Sequence, residues 1–345
     1  MDTPVSTRRS PKIYFRTRGG PTQGWGNIFR LSTFASYCRE RGCPDITFFV
    51  EGPQEVHDYL GTQRLRVVPI PEDIGLSDES EIFAKAPCAD VLIIEMLDCN
   101  YQRQSHLRKF TDKLVVFDDL LDHGYCADLV VCGQPLPSYG NRCISDSRTE
   151  FLLGLDYFLS RPEFLHRYET HRLYKRVPET LLVTLGGGRY NVAHLKIAHA
   201  LAEYRMPCHP TFILGYAQQD VLKNELQTLL PQAKIIGGTN HMEEMLWETD
   251  LAIVSGGYSK CEAAMTGTPA IMIAVQWHQI PLAEEFFNIS GMPYLGYMSF
   301  MTPSEIHRQI EKLTPQKERQ ALGHQLHSVI DGNGFDRVFA AIFSK

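Results

Sequence analysis

The sequence predicts an α/β protein built from two tandem Rossmann-like, doubly wound domains with a cleft between them, and three observations lead there. At 345 residues the chain exceeds the span that one hydrophobic core ordinarily serves. Short apolar runs alternate with helix-length segments twice over, the pattern of parallel sheets. Between the two series lies a charged stretch, RPEFLHRYETHRLYKRVPET at 161–180, with two prolines and no strand character. The expected organisation is a disordered start (1–11), a first domain (12–165), a linker (166–180) and a second domain (181–330). A closing segment (331–345) is expected to pack back on the first domain.

In the first series Lys12–Arg16 reads as a strand, and Ile28–Arg41 as a helix that sets Phe29, Leu31, Phe34 and Ala35 near one face. Strand-like runs follow at Asp45–Val50, Leu65–Ile70, Val91–Met96, Lys113–Phe117 and Ala127–Cys132. The second series opens at Leu181–Leu185 and continues through strands at Thr211–Leu214, Lys234–Ile236, Leu251–Val254 and Pro269–Val275. Helices fit between them at His194–Tyr204, Gln219–Leu229, Glu243–Glu248, Ser259–Thr266 and Ile280–Ile289. Helical segments at Ser304–Leu313 and Gln316–Ile330 follow.

Composition narrows the functional classes. Apolar residues at 43% and charged residues at 21% are ordinary globular values. A formal charge of −6 disfavours nucleic acid as a partner. No apolar run approaches the roughly 18 residues of a membrane span, and residues 1–12 lack a signal peptide's apolar stretch, so a cytoplasmic location is expected. Nine cysteines, an odd number without a CxxC, signal neither a disulfide framework nor a zinc site; buried thiols are expected. Trp247 and Trp277 are expected in the core or on a cleft wall.

In open α/β sheets ligands bind beyond the carboxyl ends of the strands, which directs attention to glycine-rich strand-to-helix turns. Three stand out: 18–27 (RGGPTQGWGN, with Gly24 and Gly26), 185–191 (LGGGRYN, with Gly186 and Gly187) and 255–259 (Ser255, Gly256, Gly257, Tyr258, Ser259). Such turns either serve chain reversal alone or let backbone N–H groups cradle an anion. None has the G-x-G-x-x-G or Gly-Lys-Ser/Thr pattern, so NAD and ATP are weakly supported. Glu262, one turn into the helix after the third loop, is placed either to accept both hydroxyls of a ribose or to face solvent. Asp118 and Asp119 suit sugar hydroxyls or a helix cap, and His278 and Gln279 suit sugar recognition or a capping role.

Several segments in order and spacing resemble one family. They are 24–30 (GWGNIFR), 117–120 (FDDL), 126–129 (CADL), 153–157 (LGLDY), 161–164 (RPEF), 183–187 (VTLGG), 250–253 (DLAI), Cys261-Glu262 before 267–269 (GTP), and His278-Gln279. Over about residues 12–300 the chain is similar to the UDP-sugar hydrolases of the pseudaminic-acid pathway and the related spore-coat polysaccharide proteins, which share the GT-B fold of the peptidoglycan N-acetylglucosaminyltransferase. The resemblance implies UDP held by the second domain, with the sugar's reactive carbon facing the first. Gly186, Gly187, Ser255, Gly256, Gly257 and Ser259 would then meet phosphate, Glu262 the ribose, and Met245 or its neighbours the uracil, with no metal or cofactor.

One departure bears on mechanism. The family motif is a strand, an Asp, then Gly-x-Gly-His-x-x-Arg, with the His as general base. Here Gly24, Gly26 and Arg30 match, but Arg18 stands for the Asp and Asn27 for the His. A carboxamide has no useful proton-accepting capacity, so another base is needed, and Glu95, Asp98 and His123 are the candidates. Three functions follow: sugar transfer to a sugar, lipid-linked or protein acceptor, hydrolysis of the UDP-sugar, or nucleotide-sugar binding without catalysis.

Overall fold

The computed structural model describes residues 9–20, 24–136, 145–146, 148–168, 170, 172–204, 208–215 and 220–344. Cys143, Gln219 and part of the first glycine-rich loop (21–23) lie outside the described residues. The first sheet comprises β1 (Ile13–Arg18), β2 (Ile46–Glu51), β3 (Arg66–Ile70), β4 (Ala89–Glu95), β5 (Thr111–Phe117), β6 (Leu129–Cys132) and β7 (Glu150–Leu153). Its order is β3-β2-β1-β4-β5-β6-β7, parallel throughout. The helices among these strands are α1 (Gly26–Glu40), α2 (Gln54–Thr62), α3 (Leu76–Ala84) and α4 (Tyr101–Leu107). Every residue of β2 (ITFFVE) is buried, as a strand covered on both faces requires.

The chain then forms α5 (Pro162–Tyr168) and a second parallel sheet. Its strands are β8 (Thr180–Thr184), β9 (His209–Ile213), β10 (Lys234–Ile236), β11 (Leu251–Ser255), β12 (Ala270–Ala274) and β13 (Tyr294–Tyr297), in the order β10-β9-β8-β11-β12-β13. Helices α6 (Asn191–Glu203), α7 (Asp220–Leu229), α8 (Met242–Glu248), α9 (Tyr258–Met265) and α10 (Gln279–Ser290) lie between them, followed by α11 (Pro303–Lys312), α12 (Gln316–His327) and α13 (Gly334–Phe343). Strand order reverses between β1 and β4 and between β8 and β11, so each sheet has a switch point where its loops splay apart.

The join differs from its sequence reading. Residues 162–168 are helical, with Pro162 at the first helical position, where its missing N–H costs nothing. Phe158 and Phe164, assigned by sequence to the first domain, are buried in the core of the second. Phe164, hidden in the charged stretch, and Phe158 just before it decide the packing there. At the far end α13 returns to the first domain: Phe335, Val338 and Ile342 are buried in its core, and the Phe335 ring stacks at 5.0 Å on Tyr37 and 5.9 Å on Phe34. Lys113 Nζ donates to the carbonyls of Ala341 and Ile342, both at 2.8 Å, at the negative end of the α13 dipole.

Among the described cysteines Cys38, Cys43, Cys99, Cys132 and Cys261 are buried, whereas Cys88 is exposed. Trp277 departs from expectation: it is 62% exposed and stacks on Tyr297 at 4.1 Å, because it sits in the turn before α10 rather than on a packed face.

Candidate functional site

A cavity of about 160 Å³ lies between the two domains. Its second-domain wall is backbone-rich: Gly186 and Gly187 after β8, Gly215 after β9, Gly238 and Thr239 after β10, and Tyr258 and Ser259 at the start of α9. Gly186 and Gly215 have φ of +93° and +78°, and a Cβ on Gly215 would come within 3.0 Å of the Gly187 carbonyl oxygen. The loops therefore nest because they lack side chains. The N-cap of α9 is Gly257, which has no side chain to occupy the helix's first N–H groups. Lys260, fully buried, donates from Nζ to the carbonyls of Gly256 and Gly257, each at 2.9 Å, and to Gln134 Oε1 of the first domain at 2.7 Å. One ammonium thus fixes the loop and ties the domains together.

The first-domain wall carries Trp25, Gly26, Phe29 and Arg30 from the start of α1. A Cβ on Gly187 would lie 3.6 Å from Trp25 Cδ1, so the two walls meet there. Arg30 is 7% exposed and bridges two carboxylates: its Nε donates to Glu95 Oε1 at 2.8 Å, its Nη2 donates to the same oxygen, and its Nη1 donates to Asp119 Oδ1 at 2.9 Å. The guanidinium also lies 4.5 Å from the Tyr258 ring centroid, across the cleft. Burial opposes the Arg30 charge, but Asp119 and Glu95 outweigh it and hold Arg30 above the usual arginine range. Burial pushes the Glu95 carboxyl up to about 7, against the pull of Arg30.

Of the residues singled out from sequence, the structure brings Gly26, Arg30, Gly186, Gly187, Ser259 and Glu262 to this cavity. Glu262 Oε1 accepts from Arg161 Nη2 at 2.9 Å and Nε at 3.2 Å, so the carboxylate proposed for ribose is already ion-paired. Met242, one turn before Met245, lines the cavity instead of it. Ser255, Gly256 and Gly257 lie just behind the wall: a Cβ on Gly257 would sit 3.6 Å from Ser255 Oγ. Gln279 Oε1 accepts the Val275 N–H at 3.0 Å, which secures the turn from β12 into α10. Burial pushes the His278 imidazole down, opposed by the Asp119 and Asp122 charges across the cleft. Gly24, with φ of +90°, closes a backbone bridge to Gly20, and Asn27 is half-buried on the first turn of α1.

The remaining base candidates are engaged elsewhere. Asp98 lies 3.3 Å from both Arg18 and Arg103, and Arg18 reaches Glu51 at 2.8 Å. Arg18 therefore belongs to an ion network that also contains the fully buried Arg16–Glu79 pair at 2.5 Å. His123 Nε2 hydrogen-bonds the Leu97 carbonyl oxygen at 2.7 Å. Asp118 accepts from Leu120 N–H, Leu121 N–H and Tyr125 Oη at 2.8, 3.2 and 2.6 Å, which fastens a turn in which Leu121 has a φ of +53°. Ligand atoms of Asp118, Asp122 and His123 fall within 4.8 Å of one another, a grouping the sequence reading did not find.

Sequence reasoning missed Gly215, Thr239, Met242 and Ser160. Ser160 Oγ is buried on the cavity wall without a partner among the described residues. Arg161 and Tyr258 were in view only as members of motifs. A glycine within two residues of the ends of β8, β10 and β11 was the available signal for Gly215.

No family model matches the chain. It is 26% identical over 337 residues to the spore coat polysaccharide biosynthesis protein SpsG of Bacillus subtilis, covering 94% of this chain and 95% of that one. Among solved structures it is similar to MurG of Acinetobacter baumannii, with a TM-score of 0.68 at 14% identity over 97% of this chain and 100% of that one. It is also similar to Anabaena HepE, solved with UDP and glucose, with a TM-score of 0.61 at 14% identity over 97% and 99% of the two chains. These likenesses, with the two parallel sheets, establish a two-domain Rossmann-like GT-B fold. Among the described residues no helix is long and apolar enough to cross a membrane.

Proposed function

We propose that the chain takes a UDP-sugar and transfers the sugar, with inversion, to an acceptor hydroxyl or amine in the assembly of a surface glycan or nonulosonic acid. The observation that carries this reading is the cavity wall made of the Gly186–Gly187 turn, Gly215 and the uncapped start of α9. Such a wall suits a diphosphate, whose oxygens accept from backbone N–H groups and favour the positive end of a helix. Glu262, within the same cavity, suits the ribose once it shares Arg161 with the ligand. The similarity to SpsG supports a role in glycan assembly, and the nucleotide and sugar bound to HepE support the ligand class. In this reading no metal or further cofactor takes part.

The reaction is a displacement. The acceptor oxygen or nitrogen attacks the anomeric carbon from the face opposite the diphosphate. The bond from that carbon to the phosphate oxygen breaks, and UDP leaves with the electron pair. Water as the acceptor gives hydrolysis by the same step. Saturation-transfer NMR of the purified chain with a panel of UDP-sugars, with and without acceptor extracts, tests the reading. Saturation transfer to the nucleotide together with acceptor-dependent loss of UDP-sugar is expected. Free sugar without acceptor replaces transfer by hydrolysis, and absence of nucleotide binding refutes the ligand class.

A further inference from the structure

We propose that Asp119 is the base that takes the proton from the attacking group, with Arg30 and Glu95 as the residues that position it. This rests on the sugar-transfer reading and names the proton acceptor which that reading leaves open.

A base for inversion must stand on the wall opposite the phosphate loops, beside the bond that breaks, with an oxygen open to the cleft. Asp119 touches residues of both cavity walls and keeps part of its side chain exposed. Its Oδ1 accepts from Arg30 Nη1 at 2.9 Å and lies 3.5 Å from Tyr258 Oη, and both of those residues line the cavity. Tyr258 is the first residue of α9, so Asp119 sits beside the helix start suited to the diphosphate. The Asp119 side chain keeps 21% of its surface exposed, although its Oδ1 is held.

The alternatives are engaged elsewhere. Asp118 is fastened by Leu120, Leu121 and Tyr125, Asp98 lies between two guanidinium groups, and His123 Nε2 is bonded to the Leu97 carbonyl. Asn27 offers only a carboxamide, which does not accept a proton at neutral pH. Glu95 is 2% exposed, and its Oε2 is buried without a partner among the described residues, so it does not reach a substrate. It acts through Arg30: two of the guanidinium's donors are held on Glu95, which aims the third at Asp119.

In the step itself the acceptor's lone pair forms the new bond to the anomeric carbon, UDP departs with the electrons of the old one, and the acceptor's proton passes to Asp119 Oδ2. The charged groups facing Glu95 are Arg30 from α1 and Asp118 and Asp119 from the loop after β5. Across the cleft His278 faces Asp119 and Asp122. With Glu95 ionised, the Arg30 charge is shared between two carboxylates. Once Glu95 takes up a proton, Arg30 is left to Asp119 alone, and that ion pair competes with proton transfer.

The test uses the full chain, NMR detection of bound UDP-sugar, and turnover with acceptor. Asp119→Asn is expected to bind the nucleotide as the wild type does while kcat falls about 10²–10⁴-fold, the usual worth of a general base. A folding defect in that variant would mask the effect, so the wild-type pH profile is the second measurement. Its kcat is expected to fall as pH drops below about 7, and Glu95→Gln should abolish that limb and lower the plateau. Wild-type kcat in nucleotide-bound Asp119→Asn overturns the proposal, as does a pH limb that Glu95→Gln leaves in place. Loss of UDP-sugar binding by the wild type instead refutes the sugar-transfer reading itself.

Discussion

Replacing Glu95 with glutamine should change how the stability of the fold depends on pH, by an amount that follows from its burial. The folded protein holds the Glu95 proton up to about 7, against 4.5 for a free side chain. At 1.36 kcal/mol for each tenfold change in proton affinity, the difference is worth about 3 kcal/mol. The sign follows from which state releases its proton first. Below pH 4.5 the side chain is neutral in both states and its contribution is complete. As pH rises towards about 7 the unfolded chain has already ionised, and the contribution is lost as the folded carboxyl follows. Glu51, Asp250 and Asp331 are held below the usual carboxylate range and act in the opposite direction. They are present in both proteins, so they cancel in the comparison between variant and wild type. Urea unfolding followed by circular dichroism should therefore show Glu95→Gln gaining about 3 kcal/mol on the wild type between pH 4.5 and 8. A difference that stays flat across that range would mean that Arg30 wins over burial and keeps Glu95 ionised throughout, and the reasoning would fail.

Three further changes probe the rest of the molecule. Phe335→Ala removes the ring stacked on Phe34 and Tyr37 and should cost about 3–5 kcal/mol in chemical unfolding, the range for a buried aromatic truncated to alanine; an unchanged midpoint would show that α13 contributes nothing to the first domain. Gly215→Ala forces a Cβ towards the Gly187 carbonyl at a φ of +78°, and should weaken UDP binding at least tenfold in calorimetry with a smaller effect on the melting temperature. Glu262→Gln turns a charge-assisted hydrogen bond into a neutral one and should lower UDP affinity about fivefold to tenfold, an effect that must vanish when the ribose hydroxyls are absent from the ligand.

Sequence patterns revealed the parts of the fold that local chemistry determines. The runs VLII within β4 and AIMIA in β12 are apolar along their length because parallel strands are buried on both faces. By contrast β13 is half-buried throughout and β7 only partly buried, so their sequences lack that signal. In α5, Phe164 is buried against the second core although most of its neighbours are polar or charged, so composition read as a linker what packing made a helix. The glycine loops were legible because a glycine reports on its own backbone. The Glu95–Arg30–Asp119 set was not, because it joins residues 65 and 89 positions apart. Adjacent aspartates show the limit most sharply. Nothing in FDDL separates Asp118 from Asp119, yet the turn through Leu121 consumes the first and leaves the second at the cleft.

The charges of the cleft also constrain how a leaving diphosphate is stabilised. Among the described residues the two guanidinium groups on the cavity wall are Arg30 and Arg161, and each is paired with carboxylate before any ligand arrives. Arg30 faces two carboxylates, so with both ionised its cluster carries one net negative charge. A diphosphate entering beside it gains little from that cluster as a whole. That leaves the N–H groups of the glycine turns and α9, with the Lys260 ammonium behind them, which are fixed in place and need no reorganisation as negative charge grows on the leaving oxygen. The acidic cluster then has a different part. A negative side chain is badly placed to bind UDP but well placed to receive a proton at the moment the anomeric carbon becomes electron-poor. Because Tyr258 supports Asp119 from the opposite domain, that arrangement is complete only when the two walls are in contact.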